Sequence, residues 1–194
     1  TNAVICDTRK TLPAMRGLEK YAVRCGGGTL HRFGLYDAAL FKDNHLAHLN
    51  DDEFTSALAS AAHAARKRHD LRFVEVEVDT LAQLDRVLSL DDGLIDIVLL
   101  DNMTVEQLRE AVRKRDENTQ QILLEASGSI SLDTVRAAAE TGVDRIAVGS
   151  ITHSAPTLDI GLDVAHSEDA MHAESTETHA AGAPSSGSKR EVEP

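Results

Sequence analysis

The sequence contains no tryptophan, and aromatic residues account for only 3% of its 194 positions. A core with so few rings has to be built from alanine, valine, leucine and isoleucine. That composition favours an α/β protein over a β-sandwich. Apolar residues make up 42% of the chain, which is enough for one hydrophobic core but not for two domains of ordinary size.

Several other features are scarce. The two cysteines, Cys6 and Cys25, form no CxxC motif, and their number predicts reduced thiols in a cytoplasmic protein. No run approaches the ~18 apolar residues that a membrane-spanning helix needs, and no signal peptide is apparent. A net charge of −12 argues against general binding to nucleic acid. We therefore expect a cytoplasmic protein without membrane or nucleic-acid partners.

The composition changes near residue 164. Residues 165–194 form an acidic segment rich in alanine, serine and glutamate, with almost no large apolar side chain. Such a segment cannot bury enough apolar surface to fold, so we expect a disordered tail. Residues 1–164 are the predicted folded domain.

Within residues 1–164, short apolar runs alternate with segments of helical periodicity. Repeated β-α units with short connections predict parallel strands and right-handed crossovers. The pattern favours a TIM-like (β/α) barrel that is incomplete or open, with a doubly wound sheet as the alternative. No GxGxxG motif follows the first strand, so a dinucleotide-binding fold has little support. The predicted strands are residues 3–6, 38–41, 72–78, 95–100, 122–124 and 145–148.

Polar residues follow or end each of the six predicted strands. Because the carboxyl ends of parallel strands meet at one edge of a barrel, we expect these residues to share one rim. A single polar strand end means little, whereas six of them indicate a functional site. The polar segments are residues 7–11, 42–45, 75–79, 101–102, 125–129 and 149–154.

Positive charge is concentrated at the start of this acidic chain. Residues 1–43 carry a net charge of +3, whereas the remaining residues carry −15. We interpret Arg16, Lys20 and Arg24 as surface charges of a helix. The remaining cations flank loops and glycines, where they suit carboxylates, phosphates or pyrophosphate. These four residues are Arg9, Lys10, Arg32 and Lys42.

Acidic residues and small turns complete the predicted rim. Glu75 and Glu77 lie on one face of their strand because alternate residues share a face, and two acids so placed are more often solvated than catalytic. Glu77 with Asp101 nevertheless suits either Mg²⁺ or ribose hydroxyls. The two small turns, residues 127–128 and 149–150, resemble the phosphate sites on the last strands of barrels, although each also suits a helix cap.

Four motifs in order carry a family resemblance: DTRKT at residues 7–11, EKYAVRCGGG at 19–28, HR at 31–32 and KDNH at 42–45. The chain resembles quinolinate phosphoribosyltransferase over residues 7–163. The later motifs EVEVD, LLDN, EASG and VGS are individually weak but follow in the same order. The resemblance implies conversion of quinolinate and phosphoribosyl pyrophosphate to nicotinate mononucleotide, pyrophosphate and CO₂ in NAD biosynthesis, with Mg²⁺ as cofactor.

The resemblance also implies roles for individual residues. The quinolinate carboxylates would be bound by Arg9, Lys10, His31, Arg32 and Lys42, with the two lysines also facing pyrophosphate. The ribose hydroxyls and the metal would be bound by Glu77 and Asp101. The 5′-phosphate would be bound by Ser127, Gly128, Gly149, Ser150 and His153.

We expect the chain to lack the N-terminal α+β domain that precedes the barrel in this family. In the family it covers the site of a partner subunit, so we expect a homodimer or higher homo-oligomer. The chain is accordingly expected to be a fragment, or half of a split enzyme, that does not turn over alone. Two alternatives stay open, a related phosphoribosyltransferase-like protein and a non-catalytic anion-binding barrel.

Overall fold

The computed structural model describes residues 1–46, 51–118 and 120–162, so the predicted tail at 165–194 lies outside the described residues. The chain divides into two compact units, Thr1–Ala155 and Pro156–Pro194. All the helices and strands of the described residues belong to the first unit. None of these helices combines the length and apolar character needed to cross a bilayer.

Strands and helices alternate along the first unit. All six predicted strands are present, and their ends differ from the predicted ones by at most two residues, except that β5 extends three residues further. The strands are β1 Val4–Cys6, β2 Ala39–Phe41, β3 Val74–Val78, β4 Ile97–Asp101, β5 Leu123–Ser127 and β6 Arg145–Ala147. The helices are α1 Arg16–Cys25, α2 Asp43–Leu46, α3 Asp51–Arg68, α4 Leu81–Val87, α5 Val105–Asp116, α6 Val135–Ala139 and α7 Ser150–His153.

The strands form one parallel sheet in the order β1-β6-β5-β4-β3-β2. From β2 to β6 each strand lies beside its neighbour in the chain, with no reversal of the kind that defines a doubly wound sheet. β1 and β2 occupy opposite edges, so the sheet is not closed. Among the described residues, Cys6 at the end of β1 also forms an isolated parallel bridge with Thr29.

The two faces of the sheet have opposite chemistry. Val74, Val76 and Val78 alternate onto one face, where they join the main core with Leu100 and Leu124. The intervening residues of the same strands lie on the other face, because side chains alternate across a strand. On that second face one row of paired residues runs across four strands, from Glu77 to Leu99, Glu125 and Arg145.

Helix α1 buries a lysine and exposes several apolar residues. The apolar positions Met15, Leu18 and Ala22 are exposed, while Lys20 and Val23 are buried. The interpretation of Lys20 as a surface charge is therefore wrong. Its side chain is only 1% exposed, and its ammonium group pairs with a buried carboxylate.

Helix boundaries follow their caps. Thr104 and Gln107 form a capping box at the start of α5, each bonding to the other's backbone N–H. Helix α6 begins at Val135 after a turn in which the Ser131 carbonyl accepts the Val135 N–H. Helix α3 begins at Asp51.

Leu124 offers a test of the core. Its side chain is fully buried in β5, so Leu124→Ala should lower the free energy of unfolding by about 2–5 kcal/mol through lost packing and a residual cavity. Urea denaturation measures the change. Leu132→Ala is the matched control, because Leu132 is 95% exposed and its loss should stay within about 0.5 kcal/mol. Equal losses in the two variants would contradict the assignment of the core face.

Candidate active site

A cavity of about 710 Å³ opens at the carboxyl ends of the strands, where the polar rim was predicted. All twelve residues selected from the sequence line it, so the structure brings the whole predicted set together. They are Arg9, Lys10, His31, Arg32, Lys42, Glu77, Asp101, Ser127, Gly128, Gly149, Ser150 and His153.

One side of the cavity is strongly cationic. Arg32 is buried, and its Nη1 donates to the Ala38 carbonyl at 3.3 Å. Burial lowers the pKa of Arg32, and the charge of nearby Arg9 lowers it further. Arg9 also has a buried Nε without a hydrogen-bond partner among the described residues. Two guanidinium groups that repel each other in a partly dry site are well placed to bind an anion between them.

Lys42 and Glu77 form an ion pair across the cavity mouth. The Lys42 ammonium contacts Glu77 Oε2, with the lysine side chain 44% exposed and the glutamate 8% exposed. The structure therefore pairs two residues that the resemblance assigned to different ligands. Each of the two charges partly offsets the other in this state.

Asn102 is a lining residue that the sequence reasoning did not select. Its Nδ2 donates to Asp101 Oδ2 at 2.7 Å, and its backbone N–H donates to the Ser127 carbonyl at 2.9 Å. Asn102 adopts a left-handed backbone conformation with φ 52°, which asparagine tolerates better than most residues. Gly128 lies next to Asn102, and a Cβ at residue 128 would come within 2.2 Å of Asn102 Oδ1. Asn102 thus fixes the Asp101 carboxylate and links the ends of β4 and β5.

The turn after β6 contacts the loop after β1. Thr152 Oγ1 donates to the Lys10 carbonyl at 2.6 Å, which ties α7 to that loop. A Cβ at Gly149 would come within 3.0 Å of His153 Nε2 and 3.7 Å of Lys10 Cδ. Because glycine has no side chain, His153 and Lys10 can both lie close to residue 149.

Below the cavity, Asp7 joins two segments of the site. Its Oδ2 accepts from Lys20 Nζ at 2.6 Å, and its Oδ1 accepts the backbone N–H of His31 at 2.7 Å. The Asp7 and Lys20 side chains are 0% and 1% exposed. This pair holds the loop of Arg9 and Lys10 against the segment of His31 and Arg32. The Asp7–Lys20 pair is hard to predict from the sequence, because Lys20 differs from a surface lysine only in its position on the helix.

His31 contacts a second buried group of charges. Its Nε2 lies 2.9 Å from Glu75 Oε2 and 3.3 Å from Glu125 Oε1, and both carboxylates are fully buried. Arg145 Nε donates to Glu125 Oε2 at 2.7 Å. Desolvation lowers the pKa of His31, but its contacts with Glu125 and Glu75 outweigh this and raise it to about 9. Burial raises the pKa of Glu75, whereas His31 and Arg145 outweigh burial and lower that of Glu125.

Glu75 was considered more often solvated than functional, and Glu125 was seen only as part of a polar strand end. The structure buries both. The alternation of β3 between valine and glutamate gave the correct face for Glu75. The burial of these carboxylates depends on His31, which reaches them from a distant loop. No local pattern in the sequence predicts that contact.

A parallel α/β domain with cations, carboxylates and small turns around one strand-end cavity has the architecture of an enzyme domain for anionic substrates. Residues 1–163 match the family described as quinolinate phosphoribosyl transferase, C-terminal domain, and the chain belongs to that family. The expectation from the sequence motifs is thereby confirmed.

Individual relatives agree with this family. The chain is 49% identical over 164 residues to the nicotinate-nucleotide pyrophosphorylase [carboxylating] of Mycobacterium leprae, which covers 84% of this chain and 55% of that protein. It is 37% identical over 174 residues to the quinolinate phosphoribosyltransferase [decarboxylating] 1b of Nicotiana tabacum, covering 84% and 48%. The chain thus spans about half the length of the curated relatives it matches.

Solved structures give the same result. The nicotinate-nucleotide pyrophosphorylase of Francisella tularensis superposes with a TM-score of 0.68 at 40% identity, covering 81% of this chain and 51% of that one. The Ehrlichia chaffeensis enzyme superposes with a TM-score of 0.70 at 37% identity, covering 84% and 55%.

The Asp7–Lys20 pair can be tested through stability. Lys20→Met should lower the free energy of unfolding by about 3–5 kcal/mol, because it leaves the Asp7 carboxylate buried without its cation. Urea denaturation of the purified variant measures this. Lys67→Met is the control, since Lys67 is exposed on α3. The double variant Asp7→Asn with Lys20→Met should recover part of the loss. A cost for Lys20→Met no larger than that of the control would refute the buried pair.

Proposed function

We propose that the chain supplies the catalytic domain of a quinolinate phosphoribosyltransferase of NAD biosynthesis, a decarboxylating pentosyltransferase. The reaction joins quinolinate to phosphoribosyl pyrophosphate and yields nicotinate mononucleotide, pyrophosphate and CO₂. The observation that carries the proposal is the convergence of all twelve selected residues on one cavity, in a chain that belongs to this family.

The dicarboxylate would bind on the cationic side of the cavity. Arg9, Lys10, His31, Arg32 and Lys42 supply enough positive charge for two carboxylates, and planar guanidinium groups suit them geometrically. The mutual repulsion of Arg9 and Arg32 supports this role, because an anion placed between them offsets it.

Phosphoribosyl pyrophosphate would bind on the opposite side. Glu77 and Asp101 are suited to accept hydrogen bonds from the ribose hydroxyls. The 5′-phosphate would be held by backbone N–H groups and hydroxyls of two small turns together with one imidazole. Those residues are Ser127, Gly128, Gly149, Ser150 and His153.

Glu77 and Asp101 are also the residues that would hold Mg²⁺. Both line one cavity from neighbouring strands, and carboxylate oxygens are the hard ligands that this ion prefers. When bound, Mg²⁺ would offset negative charge on the pyrophosphate group. Asn102 supports this assignment because it holds the Asp101 carboxylate in place.

The chemistry follows from this placement. The pyridine nitrogen attacks the anomeric carbon as the bond to pyrophosphate breaks, and the electron pair of that bond leaves with the pyrophosphate. Lys10 and Lys42 offset the charge that develops there. The ring is now a pyridinium, so the neighbouring carboxylate can depart as CO₂ and leave its electron pair on the ring carbon, which then takes up a proton. Arg9 and Arg32 contribute by fixing the ring during both steps.

The architecture and assembly belong to the same proposal. We propose that the sheet is an open (β/α) barrel, which the strand order from β2 through β6 to β1 supports. We also propose a homodimer or higher homo-oligomer. A cytoplasmic location is proposed from the two unpaired cysteines.

Calorimetry and a product assay test the function. Quinolinate and phosphoribosyl pyrophosphate with Mg²⁺ should each give a saturable binding isotherm with the purified chain. Chromatographic detection of nicotinate mononucleotide then separates turnover from binding. Binding without product is the outcome expected of a chain that does not turn over alone, and robust product formation would contradict that expectation. Binding of neither substrate would contradict the proposal.

Lys42 provides the narrower test. Lys42→Ala should weaken quinolinate binding roughly tenfold to a hundredfold, the usual loss for a hydrogen bond to a charged group. Lys67→Ala on the exposed face of α3 serves as the control and should bind as the unmodified chain does. An unchanged quinolinate affinity in Lys42→Ala would show that the role given to Lys42 is wrong.

A further inference from the structure

Helix α1 and its N-cap residue turn their apolar side toward solvent. Met15, Leu18 and Tyr21 are large side chains, yet they are 42%, 64% and 69% exposed. Ala22 and Cys25 are exposed beside them. The side of the helix that faces the rest of the domain instead buries the lysine described above. A surface helix normally turns its apolar stripe to the core, so this reversed stripe indicates a surface that another polypeptide covers.

The exposed residues have the spacing of a contact between two helices. Four of them follow one another in steps of three, four and three positions, which is the a/d spacing of a coiled coil: Met15, Leu18, Ala22 and Cys25. Successive residues turn by about 100° in an α-helix, so these side chains lie in one narrow stripe. Tyr21 borders the stripe, and the five residues together are called the α1 seam. None of the five is charged.

The α1 seam is complementary in size to a second copy of itself. Its first half carries the bulky Met15 and Leu18, and its second half carries the small Ala22 and Cys25. In an antiparallel pair, Met15 lies opposite the second copy's Cys25, and Leu18 lies opposite the second copy's Ala22. A parallel pair would instead set bulky side chains against each other at one end and leave a gap at the other. A two-fold axis generates the antiparallel pair.

An apolar groove of about 590 Å³ continues the α1 seam beyond the end of the helix. Its lining includes Val4, Ala22, Ile151 and the three glycines at residues 26–28. The turn that precedes α1 lies about as far before the middle of the seam as these glycines lie after it. An antiparallel pair therefore brings the turn of the second copy to the groove. That turn carries Leu12, which is 53% exposed and suits an apolar groove.

The turn that carries Leu12 is held in place within the single chain. The Leu12 N–H donates to Glu19 Oε1 at 3.1 Å, and the Met15 N–H donates to the Leu12 carbonyl at 3.1 Å. A preorganised surface loses little conformational entropy on association. The 10 residues of α1 extend only about 15 Å, too little for the ~800 Å² per partner that a stable dimer buries. The turn and the groove add the contact area that such a dimer needs.

We propose that the α1 seam and the apolar groove form the interface of a two-fold symmetric homodimer, in which the α1 helices of two copies of this chain pack antiparallel. The inference rests on the homo-oligomer of the proposed function and names its contact surface. It does not depend on the substrates, because no residue of the α1 seam lines the strand-end cavity.

Sedimentation velocity of the full chain without substrates tests the association. The unmodified chain should sediment as a dimer at micromolar concentration. Leu18→Glu should raise the dimer dissociation constant roughly a hundredfold or more, because each copy then places a carboxylate within an apolar contact. Leu18 is 64% exposed in the single chain, so the variant should fold, which circular dichroism verifies. Leu132→Glu is the matched control, since it adds the same charge at a residue that is 95% exposed and outside the seam.

Disulfide formation tests the direction of the pair. Under mild oxidation Met15→Cys should give a covalent dimer that joins residue 15 of one copy to Cys25 of the other. Within one copy these positions lie about 15 Å apart along the helix, beyond the ~7 Å that a disulfide spans. Cys6 does not compete because it is fully buried. Adding Cys25→Ser should abolish the covalent dimer, since the two residues 15 lie at opposite ends of an antiparallel pair.

The outcomes also separate this inference from the proposed function. A monomeric chain would overturn the inference and leave the α1 seam to a different polypeptide. A dimer that Leu18→Glu does not weaken would overturn it while the homo-oligomer stands. A disulfide between the two Cys25 residues of the unmodified chain would contradict antiparallel packing. A dimer lost in Leu18→Glu, with the disulfide between residues 15 and 25, supports the inference whether or not quinolinate binds.

Discussion

The alternation of side chains across a parallel sheet is the constraint from which the site follows. Successive residues of β3 send valines to the helix-covered core and glutamates to the opposite face. Because neighbouring strands run in register, the same alternation places Leu99, Glu125 and Arg145 in one row with Glu77. A single slip of one residue would exchange the two faces and place the carboxylates in the apolar core.

The order of the strands determines which side chains can meet. From β2 to β6 each new strand is added at the same edge, and β1 lies beside β6. The loops after β1 and β6 are therefore neighbours, which explains how Thr152 can bond to the Lys10 carbonyl across 142 residues of chain. Residues far apart in the sequence form one cavity because the carboxyl ends of their strands lie at the same edge of the sheet.

Periodicity and position were sufficient to predict the strands and most of the lining of the cavity, whereas His31 was selected only through the family motifs. Lys42 and Asp101 follow or end apolar runs, and that position alone placed them correctly at the carboxyl ends of parallel strands. The motifs then supplied the family. What periodicity could not supply was the environment of charges that meet through tertiary contacts. Lys20 reads as a surface residue until Asp7 is known to lie beneath it, and Glu125 has no evident partner until His31 arrives from another loop.

The close approach of Gly128 to Asn102 has a consequence for how this site tolerates change. A side chain at residue 128 would collide with the amide of residue 102, so the cost of adding one depends on what stands opposite. With glycine at 102 the contacts with the side-chain amide disappear, but the Cα of residue 102 would still lie 2.9 Å from the added Cβ, and the positive φ of residue 128 still disfavours a side chain. The two positions are thus energetically non-additive, and an order of substitution that begins at 102 removes part of the obstruction that the reverse order meets in full. The substitutions that either position tolerates therefore depend on the residue already present at the other position.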